Sequence, residues 1–443
     1  MVTTGVMAAL ADRGLDVSPH KVGPDYIDPG YHSAACGRAG RNLDPYLQGE
    51  QRVPALLLHA ALTPAPADIA VIEGAMGLFD GALGTGGFSS SAHVARLVSA
   101  PVVLVVDCAS VARSVGAIVH GFSRFDDRVR VAGVILNNIG SARHEAEARD
   151  GVAETGVAVL GVIPRLPEVV VPSRHLGLIP AAERRPAALE AVAALSSMAR
   201  DYLDLHALVG LAGTAPDLEA LPWDPAREVT GSGTRPPRPP RIAVAGGAAF
   251  TFGYAETTEL LVAAGAEVVG FDPLHDESLP SGVSGLLIGG GFPEVHARDL
   301  AANTALRTEI RTFAGDGGAI SAECAGLLYL GRELDGEPMC GVLPLTARMA
   351  PRLTLGYRTA VALSDNVLCA AGQRVSGHEF HRTQVVPDGD GPAPAAWAWQ
   401  DGAGRPVTEG VTSGAVHASY LHLHWAGYPA LATRFVAQAS EVA

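Results

Sequence analysis

Gly317-Gly318-Ala319-Ile320-Ser321-Ala322-Glu323-Cys324-Ala325-Gly326-Leu327-Leu328-Tyr329-Leu330 is a short apolar run, then a cysteine followed by small residues, then an apolar repeat at helical spacing. The pattern predicts a strand that delivers Cys324 into a tight turn before a helix, which is how a nucleophile elbow reads. Small neighbours let a carbonyl group approach the thiol. The helix N-terminus is expected to lower the thiol pKa below its free value of about 8.5. An isolated cysteine in an apolar stretch also looks like a buried core position. Two distant segments favour the reactive reading.

The first is Leu286-Leu287-Ile288-Gly289-Gly290-Gly291-Phe292-Pro293-Glu294, an apolar strand running into three glycines. Their bare N–H groups could face a developing oxyanion, or they could form a plain turn. The second is Ala418-Ser419-Tyr420-Leu421-His422-Leu423-His424-Trp425, where strand alternation would send His422 and His424 to one face and the leucines to the other. Either histidine could serve as a base.

In this order, strand, glycine-rich loop, elbow cysteine and late histidine resemble a class I glutamine amidotransferase domain over about residues 241–430. The resemblance implies that the Cys324 thiolate attacks the glutamine side-chain amide to give a thioester. His422, matching Ser-Tyr-x-His, would protonate departing ammonia, and the backbone at Gly291 and Ala325 would hold the oxyanion. Many class I domains carry a glutamate two residues after the histidine. Here that residue is His424, which leaves the third triad member unassigned.

Composition bounds the alternatives. A net charge of −14 argues against sequence-independent nucleic-acid binding, which needs a basic face. Five cysteines at positions 36, 108, 324, 340 and 369 show neither a disulfide framework nor metal-ligand spacing, so a reducing cytoplasm is expected. No stretch reaches the roughly 18 uninterrupted apolar residues of a membrane span. The expected protein is soluble, with no membrane and no nucleic-acid partner.

Gly231-Ser232-Gly233-Thr234-Arg235-Pro236-Pro237-Arg238-Pro239-Pro240 can form neither helix interior nor central strand and reads as an extended linker. It separates domains at 1–230 and 241–443. Upstream, the apolar runs 69–72, 102–106, 131–136 and 157–163 are spaced by helix-length segments such as 110–122 and 142–155. Such alternation predicts an α/β domain with a parallel sheet covered by helices on both faces. Residues 181–209 read as helical.

Ligands of open parallel sheets gather at the C-terminal strand ends, where the polar punctuation of this domain sits. His20-Lys21-Val22-Gly23-Pro24-Asp25-Tyr26-Ile27-Asp28-Pro29-Gly30-Tyr31-His32 offers a lysine and two carboxylates, and Asn42-Leu43-Asp44-Pro45-Tyr46 follows. Both segments are also ordinary turn chemistry. Ile69-Ala70-Val71-Ile72-Glu73-Gly74 puts an acid at a strand end, the position of a Walker-B carboxylate or of a helix cap. Asn137-Asn138 ends another strand and could read a nucleotide base or cap the next turn.

Together with Arg143, His144, residues 161–165 and Gly377-His378-Glu379-Phe380-His381, these segments resemble the cobyrinate (hydrogenobyrinate) a,c-diamide synthase family. Its first domain is related to dethiobiotin synthetase and the P-loop proteins. The resemblance implies ATP- and glutamine-dependent conversion of the a and c acetates of cobyrinic or hydrogenobyrinic acid to amides. Mg²⁺ would be held by Glu73 and Asp44, and Lys21 would steady the transferring phosphoryl group. Asp25 and Asp28 would position substrate or metal-bound water, and Asn137 and Asn138 would contact the nucleotide. Ammonia made at Cys324 would be used in the first domain. Where this branch commonly reads Cys-Gly-Gly, the chain has Cys324-Ala325-Gly326.

Sibling amidases are the nearest alternatives. Cobyric acid synthases tend to read Gly-Tyr-Glu and Tyr-x-His-Gly where this chain has Gly377-His378-Glu379 and Tyr420-Leu421-His422-Leu423, and the nickel-sirohydrochlorin diamide synthases form another branch. An ATP-inactive scaffold is a third reading, because no G-x-x-x-x-G-K-[ST] occurs. Relatives open with a strand and a phosphate loop ending Gly-Lys-Thr-Thr. Residues 2–10 resemble the helix after it, so the expectation is a native product longer by on the order of 10 to 20 residues.

Overall fold

The computed structural model describes residues 1–166, 173–174, 177–183, 185–230, 236, 238–388 and 394–441. Most of the linker read at 231–240 lies outside the described residues. The chain forms two compact units. The first is Met1–Pro45 with Gly49–Trp223, and the second is Asp224–Ala443 with Tyr46–Gln48.

In the first unit every apolar run becomes a strand in a parallel ladder, as expected for strands joined by helical crossovers. The ladders form two sets of three. Val17–Val22 lies between Arg41–Leu43 and Ile69–Glu73, while Val131–Ile139 lies between Val102–Asp107 and Ala158–Pro164. Ile69–Glu73 and Val102–Asp107 are thus edge strands, and Val105 remains 46% exposed despite its apolar side chain. The predicted helical stretch resolves into Arg185–Tyr202 and Leu205–Ala212. The longer helix buries Ala188, Val192, Leu195 and Ala199 and packs against the opening helix Val2–Ala11.

Helices Val115–Arg124 and Ala142–Ala153 cover the second ladder, with Val115, Val119, Ala148 and Val152 in its core. They approach through paired glycines. A Cβ on Gly116 would lie 2.2 Å from the Gly151 carbonyl oxygen, and one on Gly151 would lie 2.3 Å from the Arg113 carbonyl oxygen.

The second unit is built on a six-stranded sheet in the order Glu267–Phe271, Arg241–Ala245, Val283–Ile288, Ala319–Glu323, Val416–Ser419, Val411–Ser413. Its first five strands are parallel and the last is antiparallel. A seven-stranded, largely antiparallel sheet is added around the hairpin of Leu345–Ala362 with Arg374–Pro387. The short strand His422–Leu423 joins its edge, opposite His378 and Gly377. No helix among the described residues is long and apolar enough to cross a membrane.

The glycine contact gives a direct test. Gly151→Ala gains helix propensity of about 1 kcal/mol, but it drives a methyl into a backbone oxygen that cannot rotate away. Thermal and urea unfolding should show a net loss of about 1–3 kcal/mol. A variant as stable as the parent would mean that the two helices do not meet at these glycines.

Candidate active site

Cys324 sits where the strand Ala319–Glu323 turns into the helix Ala325–Leu330. Its φ of 50° lies in the left-handed region that residues with a Cβ rarely adopt. Packing holds it there. The Cys324 N–H donates to the Ser419 carbonyl at 2.7 Å, and the Gly326 N–H donates to the Gly289 carbonyl at 3.1 Å. A Cβ on Gly326 would fall 2.2 Å from the Ile288 oxygen, so the helix start presses directly on the glycine loop.

The thiol departs from the sequence expectation in one respect. Burial, with the Glu294 charge behind it, pushes its pKa well above the ordinary thiol value, so the helix N-terminus does not by itself make a resting thiolate. That helix has only six residues, and the site is buried. The Ala325 and Gly291 N–H groups point at the sulfur and pull the other way. These are the two N–H groups assigned above to the oxyanion, now brought together around Sγ. The thiol also faces the Phe380 carbonyl at 3.9 Å.

His422 and His424 lie on extended backbone, and their rings meet Phe252 and Tyr254 of one segment. The strand stops at Ser419 because Glu409 takes the Tyr420 N–H at 2.7 Å and the Ser419 hydroxyl at 2.5 Å. The polar partners of His422 and His424 differ. The His422 ring lies against Gly290, where a Cβ would be 2.6 Å from Cε1, and its Nδ1 is 3.7 Å from Glu323 Oε2. His424 lies tilted against the Tyr254 ring, with Gln48 Nε2 at 2.9 Å and Glu256 at 3.8 Å.

In the first unit, Lys21 gathers three carboxylates. Its Nζ donates to Asp28 at 2.5 Å and lies 3.8 Å from both Asp25 and Glu73. Burial opposes its charge, but those carboxylates outweigh burial and raise its pKa. Asp25 goes upward through burial and the neighbouring Asp28 charge, while its Oδ1 accepts the Ile27 and Asp28 N–H groups. Asn42 ties the loop down by donating to the Gly23 and Asp25 carbonyls, both at 2.7 Å. Glu73 is also desolvated, yet the His32 hydrogen bond at 2.5 Å and the Lys21 charge hold its carboxyl down at about 2. Asp44 is buried and accepts the Ser89 hydroxyl at 2.7 Å.

Among the described residues no group of three or more His, Cys, Asp or Glu is arranged as a metal centre. Mg²⁺ does not require one, since it commonly takes one or two carboxylates and completes its shell with phosphate and water. Glu73, ionised over the whole working range, and Asp44 suit that role in kind. Asn138 is at φ 63° and donates to Asp107 at 2.9 Å, and the Asn137 carbonyl accepts the Cys108 N–H. As they stand, both asparagines shape this strand end.

Residues 241–430 match the family described as "CobB/CobQ-like glutamine amidotransferase domain", and residues 1–179 match "CobQ/CobB/MinD/ParA nucleotide binding domain". Hydrogenobyrinate a,c-diamide synthase of Streptomyces coelicolor is 56% identical over 98% of this chain and 93% of its own length. The Thermobifida fusca enzyme of the same name is 53% identical over 99% and 94%. Cobyrinate a,c-diamide synthase of a Synechococcus species is 40% identical over 98% and 94%. The chain belongs to the cobyrinate and hydrogenobyrinate a,c-diamide synthase family. It is an amidating ligase with glutamine as amido donor, and its nucleotide-binding and amidotransferase domains are those of the family.

Sequence reasoning passed over several groups that this diamide synthase family member places around His422 and the chain leading to it. Glu323 was visible as the residue before Cys324, but nothing in the spacing said that its side chain turns toward His422. Glu409 carried no signal at all. With Glu379, His381, Thr383, Tyr420 and Arg352 it lines a cavity of about 550 Å³. In that wall Arg358 donates to Glu379 at 2.7 Å, and His381 stacks on Tyr420 with ring centres 3.6 Å apart.

Burial pushes the Glu409 carboxyl up from 4.5 to about 7. A raised carboxyl pKa means that the folded state holds the proton more tightly than the unfolded chain. Its stabilising contribution is complete below pH 4.5 and is lost as pH rises through 7. Relative to Glu409→Gln, which cannot ionise, the parent should lose on the order of 3 kcal/mol between these limits, at about 1.4 kcal/mol per unit. Urea midpoints of both proteins at pH 4.5 and 8 test this, and a stability difference that does not vary with pH would refute it.

Proposed function

We propose that the protein carries out ATP-dependent, glutamine-hydrolysing amidation of the a and c acetate side chains of a corrinoid acid in cobalamin biosynthesis. The observation that carries the reading is the Cys324 turn, held at φ 50° between the strand Ala319–Glu323 and the helix Ala325–Leu330, in a chain related over nearly its whole length to a,c-diamide synthases. Relatives named for hydrogenobyrinate are 50–56% identical, and those named for cobyrinate are 40–41% identical. The metal-free hydrogenobyrinic acid is therefore the substrate we favour.

In the second unit the Cys324 sulfur forms a bond to the amide carbon of glutamine. The thiol proton passes to His422 and is delivered to the nitrogen as the C–N bond breaks, releasing ammonia and leaving a thioester. The Gly291 and Ala325 N–H groups, already directed at the sulfur, hold the oxygen that becomes negative during attack. Water then opens the thioester to glutamate. A depressed resting thiol pKa is unnecessary, because proton transfer to His422 accompanies attack.

A carboxylate oxygen does not leave and an anion repels ammonia, so amide formation needs the carboxylate converted to an acyl phosphate, with ATP as phosphoryl donor. Mg²⁺ held by Glu73 and Asp44 would offset phosphate charge in that transfer. Lys21, kept cationic by its three carboxylate neighbours, supplies positive charge to the phosphoryl oxygens. Asp25, its pKa raised, is suited to take a proton from the incoming nitrogen, and Asp28 holds Lys21 in place. Asn137 and Asn138 contact the nucleotide.

Mass spectrometry of products from hydrogenobyrinic and cobyrinic acids, with ATP and glutamine, tests the substrate. Two successive gains of one amide each are expected, faster on the metal-free acid, and no gain on either acid would refute the proposal. Cys324→Ser should abolish amidation from glutamine yet keep it with high free ammonia. Joint loss in a folded variant would mean that Cys324 is not the ammonia source. Glu73→Gln, a poorer Mg²⁺ ligand, should lose ATP turnover and retain glutamine hydrolysis measured alone, and normal ATP turnover in it would remove Glu73 from the metal site.

A further inference from the structure

Many class I amidotransferase domains carry a glutamate two residues after the histidine, and here that residue is His424. His424 cannot act as a carboxylate, and it is occupied elsewhere, between Gln48, Glu256 and the Tyr254 ring. The Nδ1 atom of His422 instead faces Glu323 Oε2 at 3.7 Å. The other oxygen, Oε1, accepts the Leu423 N–H at 3.4 Å, which aims the carboxylate at the residue next to His422. Glu323 ends the strand that delivers the nucleophile, so its backbone is fixed by the same ladders that fix Cys324.

Resting on the glutaminase reading above, we infer that Glu323 is the positioning carboxylate of this site, holding His422 Nδ1–H so that Nε2 serves Cys324 and the substrate nitrogen. The role normally filled from the histidine's own segment is supplied from the residue preceding the nucleophile. A separation of 3.7 Å is longer than a hydrogen bond, and such contacts commonly tighten when substrate is bound. The other ionisable groups around His422 do not fill the role. His378, across the ladder, is held neutral by burial, with its pKa lowered to about 3. Glu379 is paired with Arg358.

The test is steady-state glutamine hydrolysis by the full chain across pH, for the parent, Glu323→Gln and Glu323→Asp. Gln keeps an acceptor for the Leu423 N–H, so a purely structural role would survive the first substitution. A positioning role predicts that Glu323→Gln lowers kcat at least roughly tenfold, with KM within about twofold and an unchanged unfolding midpoint. Removing a negative charge beside both partners also moves both limbs of the kcat/KM profile to lower pH. Glu323→Asp should restore part of kcat and the parental limbs. Glu323→Gln with the parent's kcat and limbs, or with a lower kcat and unmoved limbs, overturns the assignment. A parent that hydrolyses no glutamine overturns the glutaminase reading itself, and Glu323 with it.

Discussion

The left-handed backbone at Cys324 is the constraint around which the second unit is arranged. A non-glycine residue stays at φ 50° only when its surroundings over-determine it. Here the Ser419 carbonyl takes the Cys324 N–H, the Gly289 carbonyl takes the Gly326 N–H, and Gly326 leaves no space for a side chain. The anchors belong to two strand ends, Val416–Ser419 and Val283–Ile288. Fixing the cysteine therefore also fixes the glycine loop that carries the Gly291 N–H and the segment that leads to His422.

Electrostatics follows from which carboxylates are given partners. Glu73 and Glu409 are both desolvated, yet their pKa values move in opposite directions. His32 and Lys21 face Glu73, whereas Glu409 has a hydroxyl, backbone N–H groups and the further negative charge of Glu379. The first is a permanent anion suited to cations and phosphate chemistry. The second, its carboxyl pushed up by burial, fastens the chain just ahead of His422.

Much of this was legible because the signals were local. The strand, elbow and helix around Cys324 read directly from apolar spacing and small residues, as did the parallel strands of the first unit. The break after Ser419 was not legible, because the side chain that takes the Tyr420 N–H, Glu409, comes from another segment. The thiol's direction of shift was misjudged for a related reason. Burial is a sum over residues distant in sequence, and it outweighs a helix terminus that the sequence does display. Glu323 was in plain view, but its role rests on where Leu423 and His422 return in space.

Residues Tyr46–Gln48 belong to the second unit although everything around them in the chain belongs to the first. Gln48 meets His424, Tyr46 stacks on Tyr357 at 4.3 Å, and Gly427 has no room for a Cβ beside the Leu47 carbonyl oxygen. Neither unit is therefore one uninterrupted stretch of polypeptide. On the ribosome, Tyr46–Gln48 emerge long before Asp224, so these contacts form only when late segments return to three residues already made. A C-terminal product beginning at Asp224 would lack Gln48, one of the side chains that meet His424.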